Sequence, residues 1–233
     1  MSTVLTAFLY SLAPTVAVPL GGVAVSRFPP SAAVRSMLQH FAAGGLIAVI
    51  GVELLAELHD RSPWVVAVGI AVGTAFMIGL ESVTGRIEAR GGRMAQVGFM
   101  AVVAVDFLID GLLLGVALSQ DSSLGLLLAV VLTIEDFVTG VSFASSLSEE
   151  QPVARLTAAV AVTFPIGAVL GGLVGATLSR HWYTGLLAFA AVALLFLVVE
   201  ELLREAHEVA ESSWTTGVLF GGLLAFLMLE ALI

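Results

Sequence analysis

Apolar residues run through this chain in long stretches separated by short polar or turn-forming segments. Crossing the roughly 30 Å hydrocarbon core of a bilayer takes about 20 helical residues. Stretches of that order lie near positions 4–25, 36–57, 64–83, 95–118, 124–147, 154–178, 183–203 and 214–233. The pattern predicts an all-α integral membrane protein with eight transmembrane helices. The first stretch has no basic residues ahead of it and, at about 22 residues, exceeds the apolar core of a secretory signal, so it reads as a span. Arginine placement sets the expected orientation, because cytoplasmic loops are enriched in cations. Arg27, Arg35, Arg86, Arg90, Arg93, Arg155 and Arg204 fall in alternate loops beginning with the first, against Arg61 and Arg180 on the other side. Both termini are therefore expected outside a cell (inner or plasma) membrane. The longest predicted loop, Ser82 to Met94, holds three of these arginines with Gly91-Gly92, and is expected to be cytoplasmic and flexible.

Polar residues inside the apolar stretches stand out against this background. Span 4 contains Val105-Asp106-Phe107-Leu108-Ile109-Asp110-Gly111, and span 5 contains Thr133-Ile134-Glu135-Asp136-Phe137-Val138-Thr139-Gly140. An ionisable group inside a span costs on the order of 3 kcal/mol by insertion scales and marks a functional site by default. Asp106/Asp110 and Glu135/Thr139 are each spaced i, i+4, which puts both members of a pair on one helix face. At about 1.5 Å per residue from a turn near Asp121-Ser122, Asp106 and Asp110 lie roughly 23 and 17 Å from it, and Glu135, Asp136 and Thr139 roughly 20, 22 and 26 Å. All five fall near the midplane. Two antiparallel helices can bring Asp106, Asp110, Glu135 and Thr139 around one point, with Asp136 at the edge of that face or turned to a neighbour. So many like charges need neutralising by a cation or by protons. A divalent cation is the economical solution. Oxygen donors alone suit Mg, Mn, Fe(II) or Ca better than a soft ion, although Zn also accepts carboxylates. Two rival readings are a proton relay and acids that merely hydrogen-bond helices together.

Spans 2 and 7 reveal an internal repeat. Phe41-Ala42-Ala43 precedes Glu53-Leu54-Leu55-Ala56-Glu57-Leu58-His59-Asp60 as Phe189-Ala190-Ala191 precedes Glu201-Leu202-Leu203-Arg204-Glu205-Ala206-His207-Glu208, at an offset of 148 throughout. Spans 1 and 6 correspond through Val18-Pro19-Leu20-Gly21 and Phe164-Pro165-Ile166-Gly167, and spans 3 and 8 through Ala75-Phe76 with Glu81 and Ala225-Phe226 with Glu230. This predicts a single domain in a 3+2+3 inverted-repeat arrangement: repeat 1 over about 1–83, a central hairpin over about 95–147 and repeat 2 over about 154–233. Such a plan is common among transporters, whose sites lie where broken helices pair. Pro14 and Pro19 in span 1 and Pro165 in span 6 occupy corresponding positions, and each frees a backbone carbonyl and kinks its helix.

Composition narrows the function. Of 233 residues 59% are hydrophobic and 12% charged, against roughly 25% charged in a soluble domain. The absence of cysteine excludes disulfides, thiolate metal sites and cysteine catalysis. All nine cationic residues are arginine and none form a basic run, which argues against nucleic acid. An intramembrane hydrolase needs a nucleophile or a water-activating set that the spans lack, so no enzyme is expected. The acidic ends Glu53/Glu57/His59/Asp60 and Glu200/Glu201/Glu205/His207/Glu208 sit at opposite faces. They are either solvated helix ends or a cation entrance and exit, with His59 or His207 as transient ligands. His40 reads as a headgroup-level or packing residue, and His181 beside Trp182 and Tyr183 as an interfacial belt. Gly111/Gly115 and Gly167/Gly171/Gly175 have the spacing of close-packing faces, and Gly111 and Gly140 are placed to let backbone approach the site.

At these residues the chain resembles the ZIP family (Zrt/Irt-like proteins) of divalent metal transporters, particularly bacterial and archaeal members. That family has eight spans, both termini outside and a three-two-three repeat. Its span 4 carries a His-Asn-x-x-Asp/Glu-Gly type motif and its span 5 a His/Gln-Glu/Asp-x-Pro-Glu-Gly type motif. Glu-Leu-Leu-x-Glu in spans 2 and 7 is similar too, so the resemblance covers essentially the whole chain. It places Asp106 at the first-site histidine, Asp110 at the carboxylate, Glu135 at the His/Gln and Thr139 at the second carboxylate. Phe107 replaces the second-site asparagine, Val138 the proline and Phe164 the span 6 glutamate, while Asp136 keeps its second-site place. The resemblance therefore implies a carrier that moves Zn, Fe, Mn or a similar divalent cation toward the cytoplasm. It implies one bound metal ion rather than two, as transported substrate, and no organic cofactor. It also implies a homodimer in which spans 1, 4, 5 and 6 move against 2, 3, 7 and 8. A chain that has lost the second site also fits a member that binds metal without transporting it, as a sensor or assembly partner.

Overall fold

The computed structural model describes residues 3–89, 92–145, 152–207 and 213–232. Among these the chain forms eight helices and no strand. They are α1 (Thr3–Arg27), α2 (Ala32–His59), α3 (Pro63–Glu88), α4 (Gly92–Gln120), α5 (Ser122–Ser145), α6 (Val153–Gly175), α7 (Arg180–Ala206) and α8 (Ser213–Glu230). The first seven are long and apolar enough to cross a membrane. The eighth, expected over 214–233, is an apolar helix of 18 residues, about 27 Å at 1.5 Å per residue. Apolar side chains such as Leu20, Val72, Leu173 and Phe220 point away from the protein, as a lipid solvent requires.

Local chemistry fixes the helix ends. Ser31 starts α2 by accepting a hydrogen bond from the Val34 N–H at 3.3 Å, and Pro63 occupies the first turn of α3, where a missing N–H costs nothing. Asp121 makes the turn between α4 and α5 where the sequence puts it: its Oδ1 accepts from the N–H groups of Ser123 and Leu124 at 2.7 and 3.2 Å. The long loop expected from Ser82 to Met94 is a correction. Helix α3 runs on to Glu88 and α4 begins at Gly92, because Glu81-Ser82-Val83-Thr84-Gly85-Arg86-Ile87-Glu88 contains no proline to stop it. Arg90 and Gly91 lie outside the described residues.

Two of the three prolines behave differently from the third. Helix α6 is interrupted at Val162, between Ala161 and Thr163, where Pro165 leaves the Ala161 carbonyl without its i+4 donor. Helix α1 continues through Pro14 and Pro19 from Thr3 to Arg27. Helices α2 and α7 each contain a π-helical turn, Ile50–Leu54 and Leu197–Leu203. In the first, the Leu55 N–H donates to the Ile50 carbonyl five residues back.

The closest packing is pairwise: α1 lies along α5 and α4 along α6, while α2 lies along α8 and α3 along α7. Glycine makes these approaches possible. A Cβ at Gly111 would overlap the Phe164 carbonyl and one at Gly167 the Leu108 carbonyl, while across α1 and α5 the same holds for Gly21 against Phe137 and Gly140 against Val18. On the other side Gly44 meets Leu219, Gly222 meets Phe41 and Gly69 meets Gly185 in the same way. Two four-helix groups result, α1/α4/α5/α6 and α2/α3/α7/α8. The central hairpin faces the second group across its own inner side, with α2 packed on α5 and α3 on α4.

Candidate metal centre

Helix α4 contributes Asp110 and α5 contributes the adjacent Glu135 and Asp136. Each offers one carboxylate oxygen, and the three atoms lie within 4.8 Å of one another. All three residues are buried, Asp110 to 3% exposure and the other two completely. The helices reach this convergence because Gly111 and Gly140 let α4 and α5 touch the backbones of α6 and α1, which fixes how each hairpin helix is rotated about its own axis.

The oxygens are poorly provided with partners. Thr139 donates its hydroxyl to Glu135 Oε1 at 2.6 Å. Glu135 Oε2, Asp110 Oδ2 and both oxygens of Asp136 are buried and receive no hydrogen bond. Among the described residues the one ion pair joins Arg61 to Glu57 and involves none of the three. Three buried carboxylates with a single hydroxyl donor and no counter-charge in a low-dielectric interior are costly, and a cation at their centre satisfies them all. Three oxygens within 4.8 Å of one another lie no more than about 2.8 Å from a common centre, close to the 2.3–2.6 Å of calcium–oxygen bonds and longer than the bonds of the smaller divalent ions. This cluster can hold a metal ion.

The five predicted site residues divide. Asp110, Glu135 and Asp136 converge, and Thr139 supports them through Glu135. Asp136, expected at the edge, is a full member. Asp106 lies one turn from Asp110, half-buried, and instead lines a cavity of about 290 Å³ with Thr139, Glu81, Glu200, Glu201, Arg204 and Glu205, among others. Thr139 thus stands between triad and cavity. Phe107 and Phe164 are completely buried.

A second cavity, of about 610 Å³, opens at the opposite helix ends and is lined by Glu53, Glu57, Asp121, Arg61, Arg180 and Tyr183, among others. Arg61 pairs with the Glu57 carboxylate and lies 5.9 Å from the Tyr183 ring centre. Tyr183 is a correction to the belt expected from His181-Trp182-Tyr183: Trp182 is 74% exposed but Tyr183 only 6%, because it turns inward to this cavity. His40 packs as expected, buried, with Nδ1 2.8 Å from the Ser36 carbonyl and its ring 5.5 Å from that of His207. Nothing in the sequence signals Gln39 and Ser142, which both donate to Glu205 Oε2, at 2.6 and 2.9 Å. Both sit in runs of ordinary helical residues, and only tertiary packing brings them to α7.

No protein-family model matches the chain, and no curated protein matches it in sequence.

Proposed function

We propose that this protein is a carrier of divalent metal cations, related to the ZIP family, that moves Zn, Fe, Mn or a similar ion toward the cytoplasm through the Asp110/Glu135/Asp136 site. The observation that carries this reading is a buried carboxylate triad, with a single hydroxyl donor and no counter-charge, lying between two cavities rich in acids. Intramembrane acids facing a bundle interior mark ion pathways. Eight spans in a 3+2+3 inverted repeat suit the same reading. The α1/α5 and α4/α6 contacts correspond: Gly21 on Phe137 and Gly140 on Val18 answer to Gly167 on Leu108 and Gly111 on Phe164. Exchanging spans 1 with 6 and 4 with 5 maps one set on the other. Both termini lie outside the cell membrane on this reading, so the 610 Å³ cavity is the outer mouth and the 290 Å³ cavity the inner one. Asp106 is then a vestibule residue on the inward route. The carrier works as a homodimer, and no catalytic step is involved.

Metal uptake into proteoliposomes tests the proposal. Parent protein carries Mn, Fe or Zn at a saturable rate, and Asp110→Ala and Glu135→Ala lose most of it. Variants that transport as well as the parent rule the carrier out. A second reading is a membrane protein that binds metal without moving it, favoured by Phe107 and Phe164, whose completely buried rings stand where the family resemblance puts ligands. Stoichiometric binding with no flux selects it.

A further inference from the structure

Four cavities among the described residues lie along one seam. The cavities of about 610, 290, 20 and 10 Å³ are each lined by residues of both four-helix groups, whereas within each group glycines bring backbones into direct contact. Two close-packed groups with voids between them have the build required for rigid-body movement of one against the other.

Side-chain hydrogen bonds cross that seam at Ser142 of α5. Its hydroxyl donates to Glu205 Oε2 of α7 at 2.9 Å and accepts from Gln39 Nε2 of α2 at 3.4 Å. Gln39 also donates to the same Glu205 oxygen at 2.6 Å. Gln39 is only 1% exposed, so its amide cannot turn to water instead. Hydrogen bonds to a carboxylate are roughly twice as strong as neutral ones, and these two meet on one atom.

We infer that Gln39, Ser142 and Glu205 form a latch holding α1/α4/α5/α6 against α2/α3/α7/α8 in the present arrangement, and that a divalent cation in the 290 Å³ cavity opens it. The release follows from position. Glu205 lines the cavity that also holds Asp106 and Thr139, so an ion passing between triad and cavity meets a carboxylate already engaged with Ser142 and Gln39. Taking that carboxylate as a ligand removes the acceptor that joins α5 to α7. The latch thereby ties movement of the groups to occupancy of the vestibule. The inference rests on the carrier reading for its purpose, but its readout does not.

The chain has no cysteine, so nitroxide labels at Ser82→Cys on α3 and Ser145→Cys on α5, both exposed, report a single distance across the seam in lipid nanodiscs. Without metal the parent gives one dominant distance. Ser142→Ala raises the population of a second distance about tenfold, the equivalent of one lost hydrogen bond to a charged group. Gln39→Leu removes the longer, neutral bond across the seam, raises that population by about two- to fivefold and serves if Ser142→Ala misfolds, while Ser142→Thr keeps the parent distribution. Saturating Zn²⁺ moves the parent toward that second distance. A parent-like distribution in both Ser142→Ala and Gln39→Leu overturns the latch, and a parent distribution indifferent to Zn²⁺ overturns its release by cation. Because distances are read without flux, a working latch in a protein that transports nothing separates failure of the carrier reading from failure of this one.

Discussion

Glu53 and Glu201, 148 positions apart, each occupy a π-helical turn, Ile50–Leu54 in α2 and Leu197–Leu203 in α7, and each lines one of the two large cavities. Glu57 and Glu205, four residues further on, line the same two cavities. A π-turn inserts one residue into the helical register and is commonly found at functional sites. Here it recurs at both acidic helix ends, beside the two cavities.

Loss of a triad carboxylate is expected to weaken metal binding by at least about tenfold, since affinity follows the number of charged oxygen ligands. Elemental analysis of purified protein equilibrated with Mn²⁺ or Zn²⁺ should find about one ion per chain in the parent and far less in Asp110→Asn or Asp136→Asn. Asp106→Asn should retain the ion and slow its movement. Equal loss in Asp106→Asn would restore Asp106 as a ligand.

Thr139 acts through Glu135, orienting it by a 2.6 Å hydrogen bond. Thr139→Val keeps the shape and removes the donor. About 1 kcal/mol is at stake, or roughly a fivefold rise in the dissociation constant, measurable by calorimetry. A Thr139→Ser variant should restore most of the affinity.

Arg61 adds positive charge, with Arg180, to a cavity that also holds Glu53, Glu57 and Asp121. Its ion pair with Glu57 is partly exposed, and such pairs contribute at most about 1 kcal/mol to stability, so Arg61→Gln should melt like the parent. The more negative mouth should concentrate cations and lower the apparent KM for uptake by about two- to fivefold at low salt, an effect that disappears as salt screens the field. An unchanged KM at low salt would remove this cavity from the route.

Glycine substitutions should separate packing from lipid exposure. Gly167→Val drives a side chain into the Leu108 backbone, and overpacking of this kind costs about 1–3 kcal/mol. Nothing lies within 4 Å of a Cβ at Gly79, so Gly79→Ala should hold or slightly raise the melting temperature in detergent. Comparable losses in the two would mean that the α4/α6 contact is looser than described.

The sequence by itself determined the class of the protein, its helical spans and the hairpin that carries the site. Those are local properties: lipid takes the place of a folding partner, so a run of apolar residues is enough to specify a membrane helix, and acids within it are visible because they break the run. The repeat was legible for the same reason, as residue identities at a fixed offset. Tertiary structure alone decided which acids meet. Spacing grouped Asp106 with Asp110 and left Asp136 at the edge, yet Asp136 joins the triad and Asp106 lines the 290 Å³ cavity. That choice depends on the rotation of α4 and α5 about their axes, which is set where Gly111 and Gly140 press on the Phe164 and Val18 backbones of other helices. No local pattern encodes a rotation fixed by contacts more than 50 residues away in the chain.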